Sequence, residues 1–201
     1  MRKSIYFLVI SFFLATAVFS GVKIYAHFKD VQEQENLYDS LAQIVEQAET
    51  APAPETVPAP SEPEEVLPEN TEPVILPAYA ELYEQNSDMV GWICIEDTRV
   101  NYPVMQSPYD SDFYLNHGFD KGETDYGCPY VPTICDVAKP SDNLIIYGHH
   151  KKNGSMFSDL KKYRKKSFWE DHRTITFDTL YEKQTYEAVA VFVSVDYTNS
   201  P

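Results

Sequence analysis

The sequence predicts a mainly β fold with short helices, a barrel or a sandwich, set behind an N-terminal transmembrane helix and a proline- and glutamate-rich linker. Three observations carry this expectation. Residues 4–22 contain no charged side chain. Residues 49–73 hold seven of the chain's fourteen prolines and seven glutamates. From Leu76 onward the composition turns globular, and short alternating apolar runs recur between turn residues.

The 201 residues leave room for one ordinary domain plus extras. The formal net charge of −15 argues against a nucleic-acid partner, because phosphate binding draws on clustered Lys and Arg. Three cysteines, Cys94, Cys128 and Cys135, are too few for a disulfide scaffold. Either Cys128 and Cys135 bridge across a short loop, or all three serve as small apolar side chains.

Taken in order, Met1-Arg2-Lys3 precedes "SIYFLVISFFLATAVFSGV". At ~1.5 Å per residue residues 4–22 span about 28 Å, one bilayer core. The basic pair sets residues 1–3 in the cytoplasm and the rest outside. Val18-Phe19-Ser20 before Gly21 resembles a signal-peptide cleavage site, but the apolar run is longer than a usual signal core and favours a retained anchor. Over 23–48, Leu37, Leu41, Ile44, Val45 and Ala48 recur at helical spacing among Glu and Gln, a juxtamembrane amphipathic helix. Residues 49–75 form the linker. Its prolines exclude helix and sheet, and in extended polyproline II a 25-residue stretch reaches roughly 75 Å, enough to lift a domain off the membrane.

Within 76–201, "AYAELYEQNSD" is a helix stopped near Asn86. "MVGWICI" (89–95) and "RVNYPV" (99–104) are strands joined by a turn at Glu96-Asp97-Thr98. "DSDFYLN" (110–116) is a helical turn, "CPYV" a short strand, and "AKPSDN" a turn feeding the apolar strand "LIIY". "SMFSDLKKY" is a helix with Ser155 as its N-cap. "TITFDT" and "QTYEAVAVFVSVDY" alternate as strands should.

The stretch "NLIIYGHHKKNGSMFSDLKKY" (143–163) concentrates the chemistry. Leu144-Ile145-Ile146 reads as a buried strand, and Gly148 lets the backbone turn tightly at its end. His149 then stands where a strand leaves the core. An imidazole there serves as a general acid or base near neutral pH, or as a structural, hydrogen-bonded side chain. His150 points the opposite way. Adjacent histidines share no face, and no carboxylate or cysteine falls at a familiar ligand spacing, so no metal site is predicted.

This segment resembles the active-site histidine segment of the class B sortases, membrane-anchored cysteine transpeptidases of Gram-positive bacteria. "NSDMVGWICIEDTRVNYPVMQ…DFYLNHGF" is similar to the same family's N-terminal helix-to-strand region, and "SFWEDHRTITFDTLYEKQTYEAVAVFVS" to its next helix and strands. Asn86, Asp88, Val90-Gly91-Trp92-Ile93, Tyr102-Pro103-Val104, Gln106, Asp112, Tyr114-Leu115-Asn116 and Phe119 carry the match, which runs from about Leu82 to about Val195.

The resemblance implies a thiolate that attacks the backbone carbonyl of a C-terminal sorting motif, forming a thioacyl enzyme that an amine of a peptidoglycan precursor resolves. It implies His149 as the acid/base and Leu115 as a contact of the sorting motif on the groove wall. The partners it implies are surface proteins with a C-terminal sorting motif, the precursor amine, and the membrane through the N-terminal helix; no cofactor is implied. In that family the cysteine follows a Thr-Leu-Ser-Thr-like strand well after the histidine, with an arginine on the next strand. Cys94, Cys128, Cys135, Arg99, Arg164 and Arg173 lack that context. The expectation is therefore a partial sortase domain over 76–201: an incomplete sortase-type β-barrel, extracellular, with exposed strand edges and no activity as given. The alternative is a non-catalytic, membrane-tethered peptide-binding module. A structural stalk protein accounts for 23–75 but not for the histidine segment.

Overall fold

The structure is a computed structural model that describes residues 2–51, 73–139 and 143–194. Linker residues 52–72, the centre of the 138–143 turn and the end of the last expected strand lie outside them. The chain divides into two compact units, Met1–Asp39 and Ser40–Pro201.

The first unit is helix throughout. Helix α1 runs Arg2–Thr50, so the expected change at residue 22 is one of composition and not of backbone. No proline interrupts it, and the helix formers of 23–48 carry it on. Its apolar side chains from Tyr6 to Phe28 face outward, and it is long and apolar enough to cross a membrane.

The second unit takes in the last turns of α1, where Leu41 and Val45 are buried. Helix α2 (Pro77–Gln85) starts with proline in its first turn, where a missing N–H costs nothing, and ends at Asn86. A four-stranded antiparallel sheet follows, in the order β2-β1-β3-β4, formed by β1 (Met89–Cys94), β2 (Asn101–Met105), β3 (Thr174–Thr179) and β4 (Thr185–Glu187). Central β1 pairs Trp92 with Pro103 on one side and with Asp178 on the other. Beyond β2 the sheet continues as single bridges, Met105 to Tyr130 and Tyr130 to Tyr147. The sheet does not close into a barrel among the described residues.

Tyrosines dominate the core. Tyr79 stacks on Trp92 with centroids 6.4 Å apart and donates its hydroxyl to Asp178 at 2.7 Å. Tyr114 donates to Asp88 at 2.7 Å and accepts from the Asn86 amide at 3.0 Å. Burial and these acceptor carboxylates push both phenols well above their ordinary range. Burial and the Asp112 carboxylate push Tyr130 up to about 12. A group whose pKa is raised in the folded state stabilises fully below its unfolded value, about 10 for tyrosine, and loses that contribution as pH rises through the folded value. The domain is therefore expected to weaken from about pH 10 upward. In an alkaline titration, phenolate absorbance of these tyrosines should appear together with loss of near-ultraviolet dichroism. Phenolate formation well before unfolding would contradict this.

Four local expectations are corrected. Residues 144–147 form no buried strand. They hold one bridge, Tyr147 to Tyr130, among the described residues, with Ile145 39% and Tyr147 46% exposed. The backbone makes no tight turn at Gly148; a Cβ there would meet the Phe157 ring at 2.6 Å, so it is close approach that glycine permits. The helix expected over 155–163 is a 3-10 helix, Phe157–Arg164, capped by Met156 at φ 53°. The Ser155 hydroxyl donates to the Asn153 side chain instead of capping. Among the described residues of the expected strand 184–197, only Thr185–Glu187 forms a strand, against β3; Val189 and Phe192 stand more than 80% exposed.

Candidate active site

His149 is positioned from three directions. Two residues before it, Tyr147 and Tyr130 exchange backbone hydrogen bonds of 2.8 and 2.9 Å, and their rings stack. The His149 carbonyl accepts the Phe157 N–H at 2.9 Å, tying it to the start of the 3-10 helix. Its ring is half-buried, and Nε2 lies 2.7 Å from the Leu115 carbonyl oxygen. Leu115 closes the short 3-10 turn Phe113–Leu115 and leaves its side chain 37% exposed. The two residues singled out by sequence therefore meet, but through the leucine backbone, a contact that side-chain pattern does not encode.

The 3-10 turn is itself held. Tyr114 is clamped by Asp88 and Asn86, whose amide also donates to the Phe119 carbonyl at 2.6 Å. Tyr130 donates to Asp112 at 3.0 Å, linking the turn to the bridge ahead of the histidine. Lys121 pairs with Asp88 at 2.8 Å.

Next to His149, the neighbouring His150 joins Phe157, Leu160, Arg164, Val191 and Phe192 around an open cleft of about 480 Å³. Its floor is largely apolar and its rim carries cations. Asp159 anchors the 3-10 helix beneath: it accepts the Arg99 N–H and the Lys162 ammonium, each at 2.9 Å. Burial raises the Asp159 pKa, but these donors and cations outweigh it and the net shift is downward.

The cysteines are all free, so Cys128 and Cys135 are not bridged. Cys128 is buried and its thiol faces the Pro103 carbonyl at 3.6 Å. Cys94 is half-buried in β1, where burial, chiefly, and the Glu96 charge push its thiol up. Neither environment favours a thiolate. At pH 7 both are expected to alkylate with iodoacetamide at least about tenfold slower than a free cysteine peptide, as peptide mass mapping would show. Fast modification of either would contradict this. Of the arginines, Arg99 donates to the Asn153 carbonyl, Arg173 pairs with Glu187 at 2.7 Å and stacks on Trp169, and Arg164 lines the cleft. Among the described residues no cluster of three potential metal ligands occurs.

No family model matches the chain. It is 38% identical over 112 residues to sortase B of Listeria monocytogenes, covering 56% of this chain and 45% of that protein. It is 33% identical over 125 residues to sortase B of Staphylococcus aureus, covering 62% and 51%. The chain thus spans about half the length of the curated relatives it matches. In fold it is similar to sortase B from B. anthracis in complex with AAEK1, with a TM-score of 0.63, 27% identity, and coverage of 86% and 75%. A Staphylococcus aureus sortase B-substrate complex matches with a TM-score of 0.61 and 28% identity over 79% and 63%.

An open antiparallel sheet with short helices, a histidine at the end of its outermost bridge, and these likenesses define a sortase-type domain. The chain is similar to class B sortases over about half of their length.

Proposed function

We propose that this chain serves a sortase-type cysteine transpeptidase in which His149 is the acid/base. A thiolate attacks the carbonyl carbon of the scissile peptide bond in a C-terminal sorting motif. The C–N bond breaks, and the imidazolium gives its proton to the leaving amine. An amine of a peptidoglycan precursor then attacks the thioester. As the new C–N bond forms and the C–S bond breaks, the imidazole takes the amine's proton and the thiolate is restored. Leu115 lines the groove for the sorting motif. The apolar helix anchors the protein in the membrane with this domain outside the cell.

The observation that supports this best is the half-buried His149 ring, held against the Leu115 carbonyl of the 113–115 turn and tied through its own carbonyl to the Phe157 N–H, with His150 beside it lining an open cleft. The relatives add weight, one of them being a complex of sortase B with its substrate.

In this reading the thiolate is none of Cys94, Cys128 and Cys135, since all three precede His149 and lack the cysteine context that the resemblance implies. Burial and the Glu96 charge push the Cys94 thiol up, and Cys128 is buried with its sulfur directed at a backbone carbonyl. The 201 residues alone are therefore expected to show no turnover of sorting-motif peptides, read by fluorescence dequenching and mass spectrometry. Turnover above background that disappears in His149→Ala would overturn this assignment of the nucleophile.

A further inference from the structure

His149 faces a carbonyl, and a carbonyl can only accept. With Nε2 2.7 Å from the Leu115 oxygen, the proton of the neutral ring belongs on Nε2. The other histidines of the domain with a ring contact do the reverse. His117 places Nδ1 2.7 Å from the Phe113 carbonyl, and His172 places Nδ1 2.9 Å from the Phe168 carbonyl, so each carries its proton on Nδ1.

What allows the His149 contact is Gly127. The segment 124–128 runs beside the 114–116 turn, with the Thr124 N–H donating to the Asn116 carbonyl and the Cys128 N–H to the Tyr114 carbonyl, both at 2.9 Å. Gly127 lies at φ +66°. A Cβ on it would stand 2.6 Å from the Leu115 oxygen, 2.9 Å from the Tyr114 oxygen and 2.9 Å from Cδ2 of the His149 ring. The missing side chain therefore leaves the space in which carbonyl and imidazole meet. Two of the three conflicts are with backbone, which cannot swing aside.

We infer that Gly127 is a positioning residue: by leaving the Leu115 carbonyl open to Nε2–H, it fixes the tautomer of His149 and assigns proton exchange with the reactants to Nδ1. The importance of this for catalysis rests on the acid/base reading of His149; the tautomer itself does not.

The test is imidazole nitrogen NMR on the full 201-residue chain in detergent micelles, labelled with 15N-histidine, at a pH where the rings are neutral. His149→Gln assigns the resonance. The wild type should show a protonated, pyrrole-type Nε2 and a bare, pyridine-type Nδ1 for His149, with the opposite pattern for His172. Gly127→Ala should abolish the His149 bias and leave the His172 pattern intact, which also reports a retained fold. Gly127→Asn separates two causes, since asparagine tolerates a positive φ but still adds a Cβ; it should lose the bias as alanine does. A protonated Nδ1 on His149 in the wild type would overturn the inference even if Gly127→Ala fails to fold. So would a bias that survives in either folded variant. Nδ1 protonation in the wild type, together with His149-dependent turnover in a chain supplied with a nucleophile, would keep the functional reading and sink this one. An Nε2–H ring with turnover indifferent to His149 would do the reverse.

Discussion

His149→Ala is expected to lower peptide turnover by about 10²–10⁴-fold in a chain supplied with a sortase nucleophile, the range that a positioned general acid/base contributes. The suitable protein joins residues 1–194 to a cysteine-bearing strand of the kind the class B sortase resemblance implies. His150→Ala, one residue on, should stay within about threefold, because its neighbour alone is held against the 113–115 turn. The loss should appear in kcat more than in KM, since proton transfer is needed in the transition state and not for binding the peptide. Equal losses in both variants would mean that the segment, and not the ring at 149, is what matters.

Gly91→Ala is expected to cost the domain about 3 kcal/mol or more, the upper range for overpacking a filled core. Gly91 lies in β1, the strand paired on both sides, and a Cβ there would sit 2.2 Å from the Asp178 carbonyl oxygen and 2.9 Å from the Phe177 ring. Relief requires moving β3 away from β1. That disturbs Asp178, whose carboxylate accepts both the Tyr79 hydroxyl at 2.7 Å and the Gln184 N–H at 3.0 Å. Thermal unfolding followed by circular dichroism should show a midpoint lower by roughly 6–12 °C, at the usual 2–4 °C per kcal/mol for this size. A change under 1 °C would show that the sheet yields without cost.

The parts of the fold that could be read from sequence are those set by local signals. Proline in the first turn and Asn86 at the end bound α2, and alternation with a polar turn at Glu96-Asp97-Thr98 marks β1 and β2. Asp97 there takes the left-handed conformation a tight turn requires. Where the reading went astray, a long-range partner decides the outcome. The apolar Leu144-Ile145-Ile146 looks buried, yet burial depends on how many strands flank it, and among the described residues only Tyr130 bridges there. The run 184–194 alternates like one long strand, but only Thr185–Glu187 finds β3 beside it. The 155–163 segment has helical spacing, but the left-handed Met156, fixed by its N–H to the Tyr102 hydroxyl at 3.0 Å, starts a tighter helix two residues later than expected.

The proposed site rests on signals of the same local kind. A histidine after an apolar run and a glycine marked position 149, and the resemblance pointed to Leu115. Neither signal reveals that the leucine's backbone, and not its side chain, touches the ring, or that Gly127, more than twenty residues earlier, leaves room for it. Contacts made by carbonyls and by an absent Cβ leave almost no trace in side-chain pattern.

The most direct measurement is intact-protein and peptide mass spectrometry of the 1–194 chimera after brief exposure to a sorting-motif peptide. A thioacyl adduct should form on the supplied cysteine, be discharged by an added amine, and fall sharply in His149→Ala. An adduct on Cys94, Cys128 or Cys135, or one that forms equally well without the imidazole at 149, would contradict the account.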